Sequence, residues 1–150
     1  LSLDEARVVV DNYNKGYAGL TDWKNKVITK ATKVGYVETL NGRRRRVPGL
    51  SSTDFAERAR AERQAINAIV QGTASEICKE AMLKVSSALE YPKCKLLVQV
   101  HDELVTSVPT DEVNNWVPII ETAMGNGTSI MGVELEVEAH FAGSWAEAKG

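Results

Sequence analysis

The chain has 150 residues, 43% hydrophobic and 25% charged, with a formal net charge of −2. That is the size and composition of one ordinary globular domain; it excludes a disordered polyelectrolyte and, with no apolar run of about 20 residues, a helical membrane span. The balance is not that of a uniformly basic nucleic-acid binder, but Arg43, Arg44, Arg45 and Arg46 form one block, Arg58, Arg60 and Arg63 follow it, and the acidic residues gather after Asp102. Such a strip is what a phosphate backbone needs, or it is a solvated arginine face.

Ser2-Leu3-Asp4-Glu5 reads as a capping box, and Ala6, Val9, Val10, Tyr13 and Tyr17 then recur at helical spacing. Gly16 and Gly19 punctuate its end. A second helix is expected from about Asp22, with Trp23, Val27, Ala31 and Val34 on one face and Gly35 as its stop. Tyr36 to Leu40 reads as a strand, and Asn41-Gly42 before the arginine block as a hairpin turn with both central residues at positive φ. Val47-Pro48-Gly49 closes this unit.

Ser51-Ser52-Thr53 is expected to start a long helix reaching about Ala88, with Phe55, Ala59, Ile66, Val70, Ile77 and Ala81 on its buried face. Arg63, Asn67 and Gln71 follow one another four residues apart and form a polar stripe beside it. Gly72-Thr73 is a candidate kink. Cys78 reads as a small core residue; it and Cys94 make no Cys-x-x-Cys pair, so neither zinc nor redox chemistry is indicated.

Lys95 to Val100 and Leu104 to Val108 read as strands that must pair antiparallel, because only His101-Asp102-Glu103 separates them. Pro109-Thr110-Asp111 starts another helix, with Val113, Val117, Ile120 and Met124 on one side and Gly125-Asn126-Gly127 at its end. Val133 to Ala139 alternates with period two, as a strand with one wet acidic face does.

Two features carry chemistry. Asp102 and Glu103 sit at a tight turn between apolar strands, where a carboxylate is held firmly enough for a metal site; an ordinary acidic turn reads the same way. In the stripe, Arg63 can fork onto a phosphate, while the Asn67 and Gln71 amides can donate to minor-groove acceptors, whose near-degenerate pattern suits a protein that accepts any sequence. A polar flank of an amphipathic helix is the plainer account.

Three segments together resemble one family. Gly35 to Arg45 (Gly-Tyr-Val-Glu-Thr-Leu-Asn-Gly-Arg-Arg-Arg) is similar to a hairpin of the DNA polymerase I-like, family A DNA polymerases. Glu62 to Ala74 is similar to the helix of that family reading Glu-Arg-x-x-x-Asn-x-x-x-Gln-Gly-Thr-Ala, although the proline often seen between its Asn and Gln is absent here. Val98 to Glu103 is similar to the family's palm hairpin, and Gly143-Ser144-Trp145 extends the match towards the end of the chain.

The resemblance implies an α+β fold, mainly helical, with a small antiparallel palm sheet and a basic β-hairpin. Residues 1–50 would be the carboxy-terminal part of the fingers and 51–150 the carboxy-terminal part of the palm. Asp102 would ligate the two Mg²⁺ ions of nucleotidyl transfer, with Glu103 a weaker contributor. His101 would touch the primer terminus, Asn67 and Gln71 the minor groove, and Arg63 the template backbone. Partners would be primer-template DNA, deoxynucleoside triphosphates and the amino-terminal part of the polymerase domain, which carries the second palm aspartate and the nucleotide-binding fingers helix. Starting at Leu1, the chain is expected to be a piece of such an enzyme and inactive alone. The parent would serve replication or repair in the cytoplasm of a bacterial or phage-infected cell, or in an organelle. With the apolar strands Leu96 to Val100 and Leu104 to Val108 missing a neighbour, the piece is expected to self-associate. The competing readings are a non-catalytic nucleic-acid-binding module and a carboxylate-pair hydrolase, for which no second acid stands in a recognisable context.

Overall fold

Ser2 opens the first helix as its sequence dictates: its hydroxyl accepts from the Glu5 N–H at 3.3 Å while the Glu5 carboxylate accepts from the Ser2 N–H at 2.7 Å. The computed structural model describes residues 2–125 and 129–149. Helix α1 runs over Leu3–Gly16 and buries none of its residues; Val9, Val10, Tyr13 and Tyr17 are all exposed. Helix α2 (Ala18–Val34) starts four residues before the expected Asp22, so Gly19 lies inside it. The Tyr17 backbone joins the two helices, and Gly35 ends α2 in the left-handed region at φ 80°. Ala31, Val27 and Ile28 face the core, whereas Val34, expected there, is exposed.

Strands β1 (Tyr36–Glu38) and β2 (Arg44–Arg46) pair antiparallel. Their connection differs from the expected two-residue turn. The Gly42 N–H bonds the Thr39 carbonyl, the Thr39 N–H bonds the Arg43 carbonyl, and of Asn41 and Gly42 only Gly42 has positive φ, 82°. This is the three-residue loop in which a turn is followed by one left-handed glycine.

Pro48–Ser51 forms a 3-10 turn, not the start of the long helix. Helix α3 spans Phe55–Ala88, and its cap is Asp54, whose carboxylate accepts from the Glu57 N–H at 2.8 Å. Helical assignment continues through Gly72 and Thr73. The buried line on its first half is Ala61, Ala65 and Ala68, not the expected face: Phe55 is 75% and Val70 56% exposed. Close approach explains the choice of alanine. A Cβ on Gly49 of the 3-10 turn would already lie 3.1 Å from the Ala61 Cβ, so larger side chains do not fit between turn and helix.

The chain divides into two units, Leu1–Thr73 and Ala74–Gly150, each with its own core. The first core joins Ala31, Val37, Val47 and Leu50 to the α3 alanines. Here the hairpin docks on α3: the Leu40 N–H bonds Thr73 Oγ1 at 3.2 Å, and a Cβ on Gly72 would come within 2.6 Å of Thr39 Cγ2. Thr39 cannot simply turn away, because its hydroxyl accepts from the Arg43 N–H at 3.1 Å. Gly72→Ala is therefore expected to destabilise by about 1–2 kcal/mol, overpacking outweighing the better helix propensity of Ala. Thr39→Ser removes the clashing methyl and keeps the hydroxyl, so the double mutant should recover most of the loss in urea denaturation. Equal losses in the single and double mutants would show that the contact does not matter.

In the second unit, β3 (Lys95–Val100) pairs antiparallel with β4 (Glu103–Ser107), with an irregularity at Leu97. A 3-10 turn, Thr110–Glu112, leads into α4 (Val113–Met124), which Gly125 ends at φ 109°. Asn126 and Gly127 lie outside the described residues. The core is Val85, Leu89, Cys94 and Trp116, flanked by Leu96, Leu104, Val108, Ile120, Ala123 and Met124. Trp116, absent from the expected α4 face, is the buried anchor at 6% exposure. Its indole N–H donates to the Glu112 carboxylate at 3.1 Å. The Lys93 ammonium beside Glu112, and then that indole, hold the carboxyl below its ordinary range.

Strands β5 (Ser129–Ile130) and β6 (Val133–Glu134) form a short antiparallel pair. Beyond Glu134 the expected strand pairs with no other strand among the described residues, although Leu135, Val137 and Ala139 still alternate in burial with exposed neighbours. A four-residue helix, α5 (Trp145–Ala148), follows, capped by Ser144. The architecture is α+β, mainly helical with small two-stranded antiparallel sheets, as expected. Among the described residues no helix is long and apolar enough to cross a membrane.

Candidate functional site

The first unit presents cations and amides. Arg63, Asn67 and Gln71 are exposed on α3, and none of the three side chains has a hydrogen-bond or ion-pair partner among the described residues. The alanine line packs the helix into its core and leaves this stripe open along one side. The arginine block splits by role. Arg44 is structural: its guanidinium bonds the Glu38 carboxylate at 2.8 Å and lies 4.7 Å from the Tyr36 ring centroid. That bond, then Lys30 at 3.7 Å, holds the Glu38 carboxyl below its ordinary range against desolvation. Arg45 and Arg46 instead line a cleft of about 270 Å³ with Glu57, Arg60 and Gln64.

The second unit presents carboxylates. Val100 pairs with Glu103, so His101 and Asp102 are the two turn residues of the β3–β4 hairpin. His101 has φ 55°, a left-handed conformation uncommon for a residue with a side chain. The turn is held in place by its own backbone oxygen. The His101 carbonyl accepts from Gln99 Nε2 at 3.0 Å and from the Cys78 thiol at 3.6 Å, and Gln99 Nε2 also lies 3.1 Å from Cys78 Sγ. Cys78 belongs to the buried side of α3, so the catalytic candidates rest on a helix rather than on a free loop.

The two carboxylates differ. Asp102 is exposed and its side chain has no partner among the described residues. Glu103 Oε2 lies 3.0 Å from the Lys149 ammonium, with both side chains about half exposed. Among the described residues no three His, Cys, Asp or Glu side chains gather as a metal-binding group. A hard oxygen donor such as Asp102 suits Mg²⁺, so the chain fits that ion as the source of part of a donor set.

Sequence reasoning singled out the stripe and the turn but missed Gln99 and Cys78, which brace the turn, and Lys149, which pairs with Glu103. Gln99 gave a signal, a lone amide in the apolar run Leu-Val-Gln-Val. Cys78 was legible only as a packing residue, and Lys149 offered nothing local to mark it.

Comparison with known proteins follows the same lines. The sequence model of DNA polymerase family A matches residues 1–147. The chain is 39% identical over 145 residues to the thermostable DNA polymerase I of Thermus filiformis, covering 97% of this chain and 17% of that protein. It is 36% identical over 151 residues to DNA polymerase I of Streptococcus pneumoniae serotype 4, again 17% of the relative's length. Among solved structures, the POL domain of Pol1 from M. smegmatis, in complex with DNA primer-template and dNTP, superposes with a TM-score of 0.90 at 36% identity, over 100% of this chain and 27% of that one.

Proposed function

The chain belongs to DNA polymerase family A, and on that footing we propose that it forms the carboxy-terminal part of the polymerase domain of a DNA-directed DNA polymerase. Residues 1–50 would belong to the fingers and 51–150 to the palm. The observation that carries this reading is Asp102: an exposed carboxylate without a partner among the described residues, at a hairpin turn braced against a helix. The enzyme would act in the cytoplasm of a bacterial cell, on primer-template DNA and deoxynucleoside triphosphates.

The residues divide the work. Asp102 would hold Mg²⁺ with donors from upstream in the enzyme, and Glu103 would contribute weakly. Two such ions supply charge stabilisation for the attacking and leaving oxygens of an in-line phosphoryl displacement. His101, fixed in the turn beside Asp102, would orient the primer terminus. Arg63 would bind a template phosphate, and the Asn67 and Gln71 amides would donate to minor-groove acceptors common to all base pairs, which favours correct duplex shape over sequence.

The salt dependence of binding tests the DNA-binding assignments. In the complete polymerase, Arg63→Ala should weaken binding to all sequences alike and lower the salt slope by about one phosphate contact. Gln71→Ala should leave the slope unchanged, because an amide displaces no counterion. Identical slopes for wild type and Arg63→Ala would rule out the phosphate contact.

Apolar surface left open points to the rest of the domain. Val9, Val10 and Tyr13 of α1 and Tyr17 just after it are exposed, as are Leu97 at 58% and Val98 at 43% on β3. In the complete enzyme, upstream residues would cover these positions. The 150-residue chain alone would cover them by self-association, giving a mass that rises with concentration in sedimentation equilibrium; a monomer throughout would contradict this.

A further inference from the structure

Within the polymerase reading above, we propose that Lys149 is a positioning residue that holds Glu103 away from the metal-binding carboxylate Asp102 and sets how tightly the site takes divalent cations. Two adjacent carboxylates at a turn would both compete for a cation unless one were occupied. Here one is: Lys149 Nζ stands 3.0 Å from Glu103 Oε2, while Asp102 has no partner among the described residues. The ammonium is itself placed by its own segment. It lies 5.5 Å from the centroid of the Trp145 ring, and α5, which carries Trp145, is capped by the Ser144 hydroxyl. Glu103, Lys149, Glu147 and His140 line one shallow cleft, so the facing charges are known: Glu147 is the other carboxylate there, and His140 pairs loosely with Glu138 at 3.8 Å.

The physical consequence is a charge and a geometry. Lys149 cancels one of the two negative charges at the turn, which weakens cation binding at Asp102. It also fixes a flexible glutamate that would otherwise swing into the coordination sphere. Lys149→Met removes both effects. It should tighten divalent-cation binding by roughly two- to fivefold, the scale of one half-exposed ion pair. At saturating metal it should slow the single-turnover extension rate, because an extra ligand disturbs the donor set. Lys149→Arg keeps the charge and should stay near wild type.

The experiment is a Mn²⁺ titration of the complete polymerase, read from the electron paramagnetic resonance signal of the free ion, with Asp102→Ala defining the background from other sites. Tighter Asp102-dependent binding in Lys149→Met, abolished by adding Glu103→Gln, is the expected result. Unchanged affinity in Lys149→Met, with Asp102-dependent binding present in wild type, would overturn the role of Lys149 and leave the polymerase reading standing. Loss of no binding in Asp102→Ala would overturn both. Both Lys149 variants replace a side chain that is 52% exposed, and circular dichroism matching wild type ensures that the comparison is between folded proteins.

Discussion

Asp102→Ala in the complete polymerase should lower the single-turnover rate of nucleotide incorporation by about 10³-fold or more. A bound divalent ion is worth several kcal/mol of transition-state charge stabilisation, and each 1.4 kcal/mol is about tenfold in rate. Primer-template affinity should change little, since removing an anion deletes no attraction for phosphate. The fold should survive, because Asp102 is exposed and its side chain makes no contact that the hairpin needs; the His101 carbonyl, Gln99 and Cys78 hold the turn. Glu103→Gln should cost much less, since that carboxylate is already engaged by Lys149. Rapid-quench kinetics with a preformed enzyme–DNA complex separates the chemical step from binding. A mutant within tenfold of the wild-type rate would show that Asp102 does not hold metal.

Trp116→Ala should have the largest effect on stability, a loss of about 3–5 kcal/mol, as expected for truncating a buried tryptophan. Trp116 is 6% exposed, packs with Val85, Leu89 and Cys94, and supplies an N–H to Glu112. Its removal leaves a cavity and deprives that carboxylate of one of its two bonds. Against a typical margin of about 5–15 kcal/mol, the second unit would be close to unfolding. Phe55→Ala, by contrast, should change stability by no more than about 0.5 kcal/mol, because Phe55 is 75% exposed. Urea denaturation followed by far-ultraviolet circular dichroism compares the two. A loss below about 1 kcal/mol for Trp116→Ala would contradict the described core.

That pair of residues shows where sequence reading fails. A helical wheel ranks positions by hydrophobicity, so it selected Phe55 and Val70 for α3. The fold instead selects by available space: the 3-10 turn comes so close at Gly49 that a small residue is needed at position 61, and Ala65 and Ala68 continue the buried line. Local signals fared better where the backbone itself demands a residue: the capping box at Ser2 and Glu5, and the left-handed glycines Gly35 and Gly125. The Asn41-Gly42 pair announced a hairpin, but its loop length depended on the Thr39–Arg43 bond, which the dipeptide does not encode. For the site, Asp102 was legible because charge is conspicuous between apolar strands. The supports of its turn were not, since Lys149 pairs with Glu103 across 46 positions of sequence and Cys78 with the His101 carbonyl across 23, separations on which local pattern is silent.

Template direction is the central claim, and single-nucleotide incorporation measures it directly. The complete protein containing this chain would be given Mg²⁺ and one deoxynucleoside triphosphate at a time, on four primer-templates that differ only in the next template base. The account predicts extension in the four complementary combinations, with the mismatched ones slower by orders of magnitude. A folded protein that binds the DNA yet extends none of the primers, or extends all of them regardless of the template base, would contradict it.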